Sequence, residues 1–427
     1  MLNVQLAYGS GVVTASVPDS TTILTPRYVA TLPDEAAAIY QALAAPRGTR
    51  PLADMVRGRG SVAIVTPDIT RPLPTARILK VLLPYLEAAG AGPERVTLIN
   101  GTGSHRGNTP EELSGMYGPE VVRRYPIVNH DAERADSLTR VGRTRNGVDA
   151  WLNRDFVRAD VKIVLGLIEP HFFAGFSGGA KGVYPALAGM DSILAFHNAQ
   201  QIDDPRSTWG VIDGNPHQSE CQSVWNLVHP DFLLNCTVNR DHGLTGIFAG
   251  TLEEAFPAGC AYCKEVAMTP VDPPAFDVVL TSNSGYPLDQ NLYQTVKGLS
   301  AAAQIVRPGG TILCAAECRE GFPDHGEFHE LMVNAESPKA LLKHIFQPGF
   351  QRPDQWEAQT LAKILTRAEV WLYSTIPAHA VSEAMLKPIA SLAEGLTAVL
   401  HRYPGEPRIA ALPEGPMTIP YVAERVN

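Results

Sequence analysis

Short apolar runs separated by longer amphipathic stretches recur along the first half of the chain. Ser61-Val-Ala-Ile-Val-Thr66, Val96-Thr-Leu-Ile-Asn100 and Val161-Lys-Ile-Val-Leu-Gly-Leu-Ile168 are continuous enough to predict buried strands. After the first of these, Ile78, Leu79, Leu82, Leu83 and Leu86 recur at helical spacing, with Pro84 expected to kink the last turn. Thr109 and Glu112 make a capping box with Pro110 at the first helical position. Phe232–Val238 and Leu244–Phe248 predict further strands, and a helical pattern begins at Thr251. Ahead of all these, Met1–Tyr8 alternates like a strand, and Pro33–Leu43 and Pro51–Val56 predict helices.

The proline-rich stretch Met268-Thr-Pro-Val-Asp-Pro-Pro-Ala-Phe276 interrupts the pattern and marks a domain boundary. Beyond it the pattern predicts strands at Asp277–Ser282, Gly310–Ala316 and Val370–Ser374. Helices are expected at Leu292–Ala303, Glu327–Asn334, Pro338–Ile345, Gln355–Thr366 and Lys387–Arg402. Strands alternating with helices predict an α/β protein of two domains, each with a mainly parallel sheet flanked by helices, the active site in the interdomain cleft. The boundaries expected are 1–267 for an N-terminal cofactor-binding domain and 268–402 for a C-terminal substrate-side domain, the tail from about 403 to 427 returning to the first.

Composition narrows the function. The 427 residues carry a formal net charge of -9 with no long Lys/Arg block, which argues against nucleic acid and against a membrane-binding patch. No apolar run approaches the ~18 residues of a membrane span, and the N-terminus lacks the pattern of a secretory signal, so a cytoplasmic location is expected. Six cysteines are too few for a disulfide scaffold, and Cys260-x-x-Cys263 and Cys314-x-x-x-Cys318 are expected to be core or helix-face thiols.

The candidate chemistry lies on loops that follow the three strong strands. Pro67-Asp68-Ile69-Thr70-Arg71-Pro72 follows the first and Gly101-Thr-Gly-Ser-His105-Arg106 the second. The third runs into Glu169-Pro-His171-Phe-Phe-Ala-Gly175-Phe-Ser177-Gly178-Gly179-Ala-Lys181. Three glycines within five residues require positive φ or close backbone approach, and Ser177 is expected to cap a following helix. Neither a P-loop nor a dinucleotide fingerprint is satisfied. His105 and His171 in glycine-rich loops suit proton transfer. His197 ends a helical pattern from Asp191 and would lie near Lys181. On the residues alone three chemistries stay open: proton transfer by the histidines, a zinc site from His105, His171 and His197, and a Schiff-base lysine at Lys181. His325-x-x-x-His329 has helical spacing for a metal but no third ligand at a recognisable offset.

These loops, together with His197, Gly285-Tyr-Pro-Leu-Asp-Gln-Asn-Leu-Tyr-Gln294-Thr-Val-Lys297-Gly and Asp354-Gln-Trp356-Glu-Ala-Gln, resemble the nickel-dependent lactate racemase family and its 2-hydroxyacid racemase and epimerase relatives. The resemblance runs from residue 61 to about 360. It implies an isomerase using a nickel-pincer nucleotide, the Ni(II) complex of pyridinium-3,5-bisthiocarboxylic acid mononucleotide, tethered to Lys181 as a thioamide. His197 would ligate nickel, and soft sulfur donors in one plane suit that ion. Asp68, Ile69, Thr70 and Arg71 would hold the nucleotide. Hydride would pass reversibly from C2 of a small 2-hydroxy acid to the cofactor through a 2-keto acid. His105 and His171 would serve as alternating acid and base. Gln294 and Lys297, on one helix face, would bind the substrate carboxylate, and Trp356 is expected in the same site. The partners implied are the substrate and the enzymes that build the cofactor. Ser104, Pro170 and Ala180 depart from the family pattern beside reacting groups, so lactate, malate, phenyllactate, 2-hydroxyglutarate and sugar acids all stay open. The rival readings are a zinc-dependent hydrolase and a nickel or nucleotide carrier.

Overall fold

The strand Val62–Pro67 buries its first five residues, which is what a strand covered on both faces requires. The structure, a computed structural model, describes residues 1–323 and 326–423, so His325 and its pairing with His329 lie outside the described residues. The chain divides into two compact units. The first holds Tyr28–Phe196 and Asp204–Val266, the second Met1–Arg27, His197–Asp203 and Ala267–Asn427.

In the first unit, a six-stranded sheet runs in the order Leu244–Gly250, Phe232–Val238, Val161–Leu167, Val62–Pro67, Val96–Gly101, Ile127–Asn129. All neighbours are parallel except the Phe232–Val238 and Leu244–Gly250 pair, which is antiparallel. The helix Thr75–Ala88 packs Ile78, Leu79, Leu82 and Leu86 against Ile64, Leu98 and Ile163, and each such side chain contributes about 1.5–3 kcal/mol by burial. That helix runs through Pro84 to Ala88. The capping box forms as read: Thr109 Oγ1 accepts from the Glu112 N–H and Glu112 Oε2 accepts from the Thr109 N–H.

In the second unit, another six-stranded sheet runs Lys387–Pro388, Glu369–Tyr373, Val306–Ala315, Phe276–Ser282, Ile409–Leu412, Thr22–Ile23, parallel throughout. The helices Leu292–Ala303 and Gln355–Arg367 share one core with it, through Val296, Leu299, Leu361 and Ile364.

Three expectations are corrected here. The tail does not return to the first sheet; Ile409–Leu412 lies between Phe276–Ser282 and Thr22–Ile23 in the second. The N-terminal hairpin of Leu2–Tyr8 and Gly11–Val17 likewise belongs to the second unit, where Val4, Leu6, Ala15 and Val17 pack against Leu280 and Leu313. The long helix expected from Lys387 is a short strand, Lys387–Pro388, followed by a helix only over Leu392–Leu400. Pro388 disfavours helical backbone in the residue before it, and Ser391 starts the helix late by accepting from the Glu394 N–H.

Candidate active-site residues

The first sheet grows outward from Val62–Pro67 to Ile127–Asn129, then the chain returns to lay Val161–Leu167 on the other side of Val62–Pro67. The order therefore reverses between these two strands, and the crevice at their carboxyl ends is where open α/β sheets place ligands. The Asp68–Arg71 and Glu169–Lys181 loops leave from those ends. Arg71 Nε lies 3.1 Å from Glu169 Oε1, an ion pair that ties one loop to the other. Ser177 donates to the same Glu169 oxygen at 3.3 Å. It does not cap a helix, because only a short 3-10 turn over Gly179–Gly182 follows.

Asp68 is buried, and its Oδ2 lies 2.8 Å from His105 Nδ1 while Oδ1 accepts from Thr70 Oγ1 at 2.6 Å. Burial alone would raise the carboxyl pKa; the charge and hydrogen bond of His105, the Thr70 hydroxyl and Arg71 together bring it below the usual value. An ionised Asp68 holds the proton of His105 on Nδ1, the logic of a carboxylate-oriented histidine. Asn100 and Asn108 brace this pair. Asn100 Nδ2 donates to Asn108 Oδ1 at 2.8 Å, and the same Oδ1 accepts from the Ile69 N–H at 3.4 Å. Ile69 itself is exposed.

His171 is held differently. The Phe173 and Ala174 N–H groups point at its Nδ1 at 3.4 and 3.3 Å, and its Nε2 lies 3.5 Å from Lys181 Nζ. Lys181 Nζ stands 5.5 Å from the Phe173 ring and 5.8 Å from the Phe196 ring, and His217, buried, packs its ring on both phenylalanines. The backbone reaches this position through Gly178 and Gly179, with φ of 83° and 57°. A Cβ on Gly178 would stand 2.9 Å from Asn235 Oδ1, and one on Gly179 would lie 2.7 Å from the Phe256 ring. Asn235 Oδ1 fixes the turn by accepting from the Gly179 N–H at 2.8 Å.

The second unit carries the other predicted residues. His197 sits just past the helix Met190–Phe196 rather than within it. Its ring is 4.3 Å from that of Trp356, and its carbonyl accepts from Gln355 Nε2 at 3.3 Å. Trp356 Nε1 donates to Tyr293 Oη at 3.0 Å. Lys297 Nζ donates to Gln294 Oε1 at 2.5 Å, one helical turn away. So His197 and Trp356 stand together, and Gln294 and Lys297 stand together. In the first unit, Asp68, Thr70 and His105 form one group and His171 with Lys181 another.

Sequence reasoning missed Asn100, Asn108, His217, Asn235, Tyr293 and Glu357. Asn100 and Asn108 flank the Gly101–Gly107 loop, but an asparagine carries no catalytic signal of its own there, and His217, Asn235, Tyr293 and Glu357 lie outside the glycine-rich strand-end loops. Among the described residues no group of three or more His, Cys, Asp or Glu is placed to hold a metal ion. All six cysteines are buried and unbridged, and no helix of the described residues is long and apolar enough to cross a membrane.

Two family descriptions match the chain: the lactate racemase N-terminal domain over residues 8–210 and the lactate racemase C-terminal domain over residues 271–419. The chain belongs to the lactate racemase family. The lactate racemase of Thermoanaerobacterium thermosaccharolyticum is 33% identical over 423 residues, 97% of this chain and 98% of that one. The lactate racemase of Lactiplantibacillus plantarum is 32% identical over 429 residues, 97% of this chain and 99% of its own. The structure of the T. thermosaccharolyticum lactate racemase apoprotein superimposes with a TM-score of 0.91 at 32% identity, covering 98% of this chain and 100% of that one. A protein from Thermotoga maritima, 18% identical with a TM-score of 0.68 over 93% of this chain and 100% of its own, shares the fold. Lactate racemases are isomerases, and this family member is an enzyme of that class.

Proposed function

We propose that the enzyme racemises lactate or a closely similar 2-hydroxy acid, in the cytoplasm, with a nickel-pincer nucleotide tethered to Lys181 and supplied by separate cofactor-making enzymes. The observation that carries this reading is the pair of histidines held in contrasting ways. His105 is backed by a buried carboxylate, and His171 is set beside a lysine in an aromatic enclosure.

The residues fit the proposed group. A primary amine flanked by Phe173 and Phe196, on a turn that two positive-φ glycines bring close to its neighbours, suits covalent attachment of a flat aromatic cofactor. Lys181 would hold it covalently, Asp68 to Arg71 would bind its nucleotide portion, and His197 would ligate nickel. When bound, that group supplies a reversible acceptor for the hydrogen on C2.

Everything else falls to the chain. His105 takes or returns the hydroxyl proton at Nε2, with Asp68 stabilising the imidazolium through Nδ1. His171 does the same for the opposite enantiomer from its Nε2. Lys297, aligned by Gln294, supplies the cation for the substrate carboxylate, and Trp356, fixed by Tyr293, gives an apolar surface.

The reading is tested by producing the protein together with cofactor-making enzymes, mapping the peptide that contains Lys181, and following interconversion of L- and D-lactate. A modified Lys181 with nickel, and racemisation lost in His105→Ala and His171→Ala while the modification stays, supports it. An unmodified Lys181 under demonstrated cofactor supply would overturn it. Modification without turnover of any 2-hydroxy acid would favour a carrier.

A further inference from the structure

Thr109 and Glu112 form a capping box, yet Glu112 makes more contacts than a cap needs. A capping-box glutamate requires one partner, the backbone N–H of the residue before the helix, and the Thr109 N–H donates to Glu112 Oε2 at 2.8 Å. The same carboxylate takes both arms of the Arg106 guanidinium, Nη2 to Oε1 at 2.7 Å and Nη1 to Oε2 at 2.8 Å. It also accepts from Asn108 Nδ2 at 2.9 Å. The Arg106 fork is the main cause that holds its carboxyl down at about 2, so it is charged throughout the neutral range.

These contacts reach both members of the Asp68–His105 pair. Arg106 follows His105 in the chain, and Asn108 carries the effect to Ile69, the residue after Asp68. Asn108 is buried, and every polar group of its backbone and amide is engaged. Its N–H donates to Asn129 Oδ1 at 3.2 Å, and its carbonyl accepts from Asn129 Nδ2 at 2.9 Å. Its Oδ1 accepts from Asn100 Nδ2 and from the Ile69 N–H. The amide therefore has one workable orientation. Turned over, its oxygen would face the Glu112 carboxylate and its NH2 would face two donors, leaving buried groups unpaired. Glu112 decides which end of Asn108 meets Ile69.

We propose that Glu112 is a positioning residue: it clamps the loop that carries His105 and, through Asn108, holds the Asp68 loop against it, so that His105 Nδ1 and Asp68 Oδ2 stay 2.8 Å apart. The inference rests on the proton-transfer role given to His105 above. Bidentate contacts between Arg and a carboxylate are directional as well as strong, which suits a part that must fix an angle. The longest link, from the Ile69 N–H to Asn108 Oδ1 at 3.4 Å, is the one an unanchored amide gives up first.

A pair of variants separates clamp from cap. Thr109→Ala breaks the capping box at its other end and leaves the Glu112 carboxylate its side-chain partners, whereas Glu112→Ala removes cap and clamp together. Both are expected to lower the melting temperature of the cofactor-free chain. In the loaded enzyme, kcat for lactate racemisation is expected to fall on the order of tenfold to a hundredfold in Glu112→Ala, with KM within about twofold. In Thr109→Ala, kcat is expected to stay within about twofold of the wild type. Proton NMR of the cofactor-free chain gives a readout independent of activity. A downfield Nδ1–H signal, assigned by its absence from His105→Asn, is expected in the wild type and in Thr109→Ala, and is expected to shift or broaden in Glu112→Ala. An unchanged signal in Glu112→Ala, or equal kcat losses in the two variants, overturns the proposal. The spectrum needs neither cofactor nor substrate, so a wild type that turns over no 2-hydroxy acid would overturn the racemase reading while the signal still decides the clamp. If Glu112→Ala fails to fold, Glu112→Gln, which keeps an oxygen for the Thr109 N–H but not the charge, carries the same comparisons.

Discussion

In the first unit the candidate active-site side chains stand on loops that leave buried strands at the point where the sheet order reverses. In the second they stand on the facing turns of two helices and on the short segment at His197. The loop residues are held by strongly polar contacts of the backbone and of charged groups: Asp68 to His105, Arg71 to Glu169, Asn235 to the Gly179 amide. The helix residues are aligned by their spacing and by neutral or half-neutral contacts, such as Trp356 to Tyr293 and Lys297 to Gln294. Loops suit groups that must exchange protons and accept a covalent attachment, because their backbone can approach closely. Helices suit groups that must present a fixed cation and an apolar wall.

This contrast predicts unequal effects of substitution. Lys181→Ala should remove the proposed attachment altogether, leaving racemisation at background by chiral assay and no added mass on the chain. Asp68→Asn should come next: it keeps the shape but lets His105 take the wrong tautomer, and a loss in kcat of roughly 10²–10⁴-fold is expected. Lys297→Ala should act chiefly on KM, raising it on the order of tenfold to a hundredfold, the effect of removing one charge-assisted contact to a carboxylate. A Lys297→Ala loss confined to kcat would blur the division between the two units.

Glu357 gives a stability effect with a definite sign. Burial is the main cause that raises its pKa from 4.5 in the unfolded chain to about 8 in the fold, so across that window the unfolded state releases a proton the folded state keeps. Stability contributed by this site is therefore greatest at acid pH, falls as pH rises towards about 8, and is level above it. Denaturant melts of Glu357→Gln should lose that slope, a relative gain of roughly a few kcal/mol on the alkaline side. Tyr293→Phe should be the smallest change, costing about 1 kcal/mol through the lost indole hydrogen bond.

The loop half of the site was readable in the sequence because glycine clusters and strand ends advertise themselves. The runs at 61–66, 96–100 and 161–168 predicted the central strands to within a residue or two, and the loops after them are where the polar contacts form. The braces were not readable. Asn100 and Asn235 stand in strands as ordinary polar residues, and only their pairing across the sheet, Asn235 opposite Gly166, makes them turn-holders. Glu357 looks in sequence like any solvent-facing helix glutamate; its burial is set by the helix packed over it. The misplacement of the tail has a similar origin, since an apolar Ile-Ala-Ala-Leu run suits a buried strand in either sheet and only the pairing partners decide.

The position of Ile409–Leu412 inside the second sheet has a consequence for synthesis. The strand Thr22–Ile23 leaves the ribosome long before its partner Ile409–Leu412 is made. The first unit has all its residues by Val266, whereas the second must keep its hairpin and the His197–Asp203 segment waiting until Ile409–Leu412 arrives. A nascent chain stalled after residue 400 would hold a finished first sheet and an open second one. Late truncation should therefore strand exposed parallel edges rather than simply trim a tail.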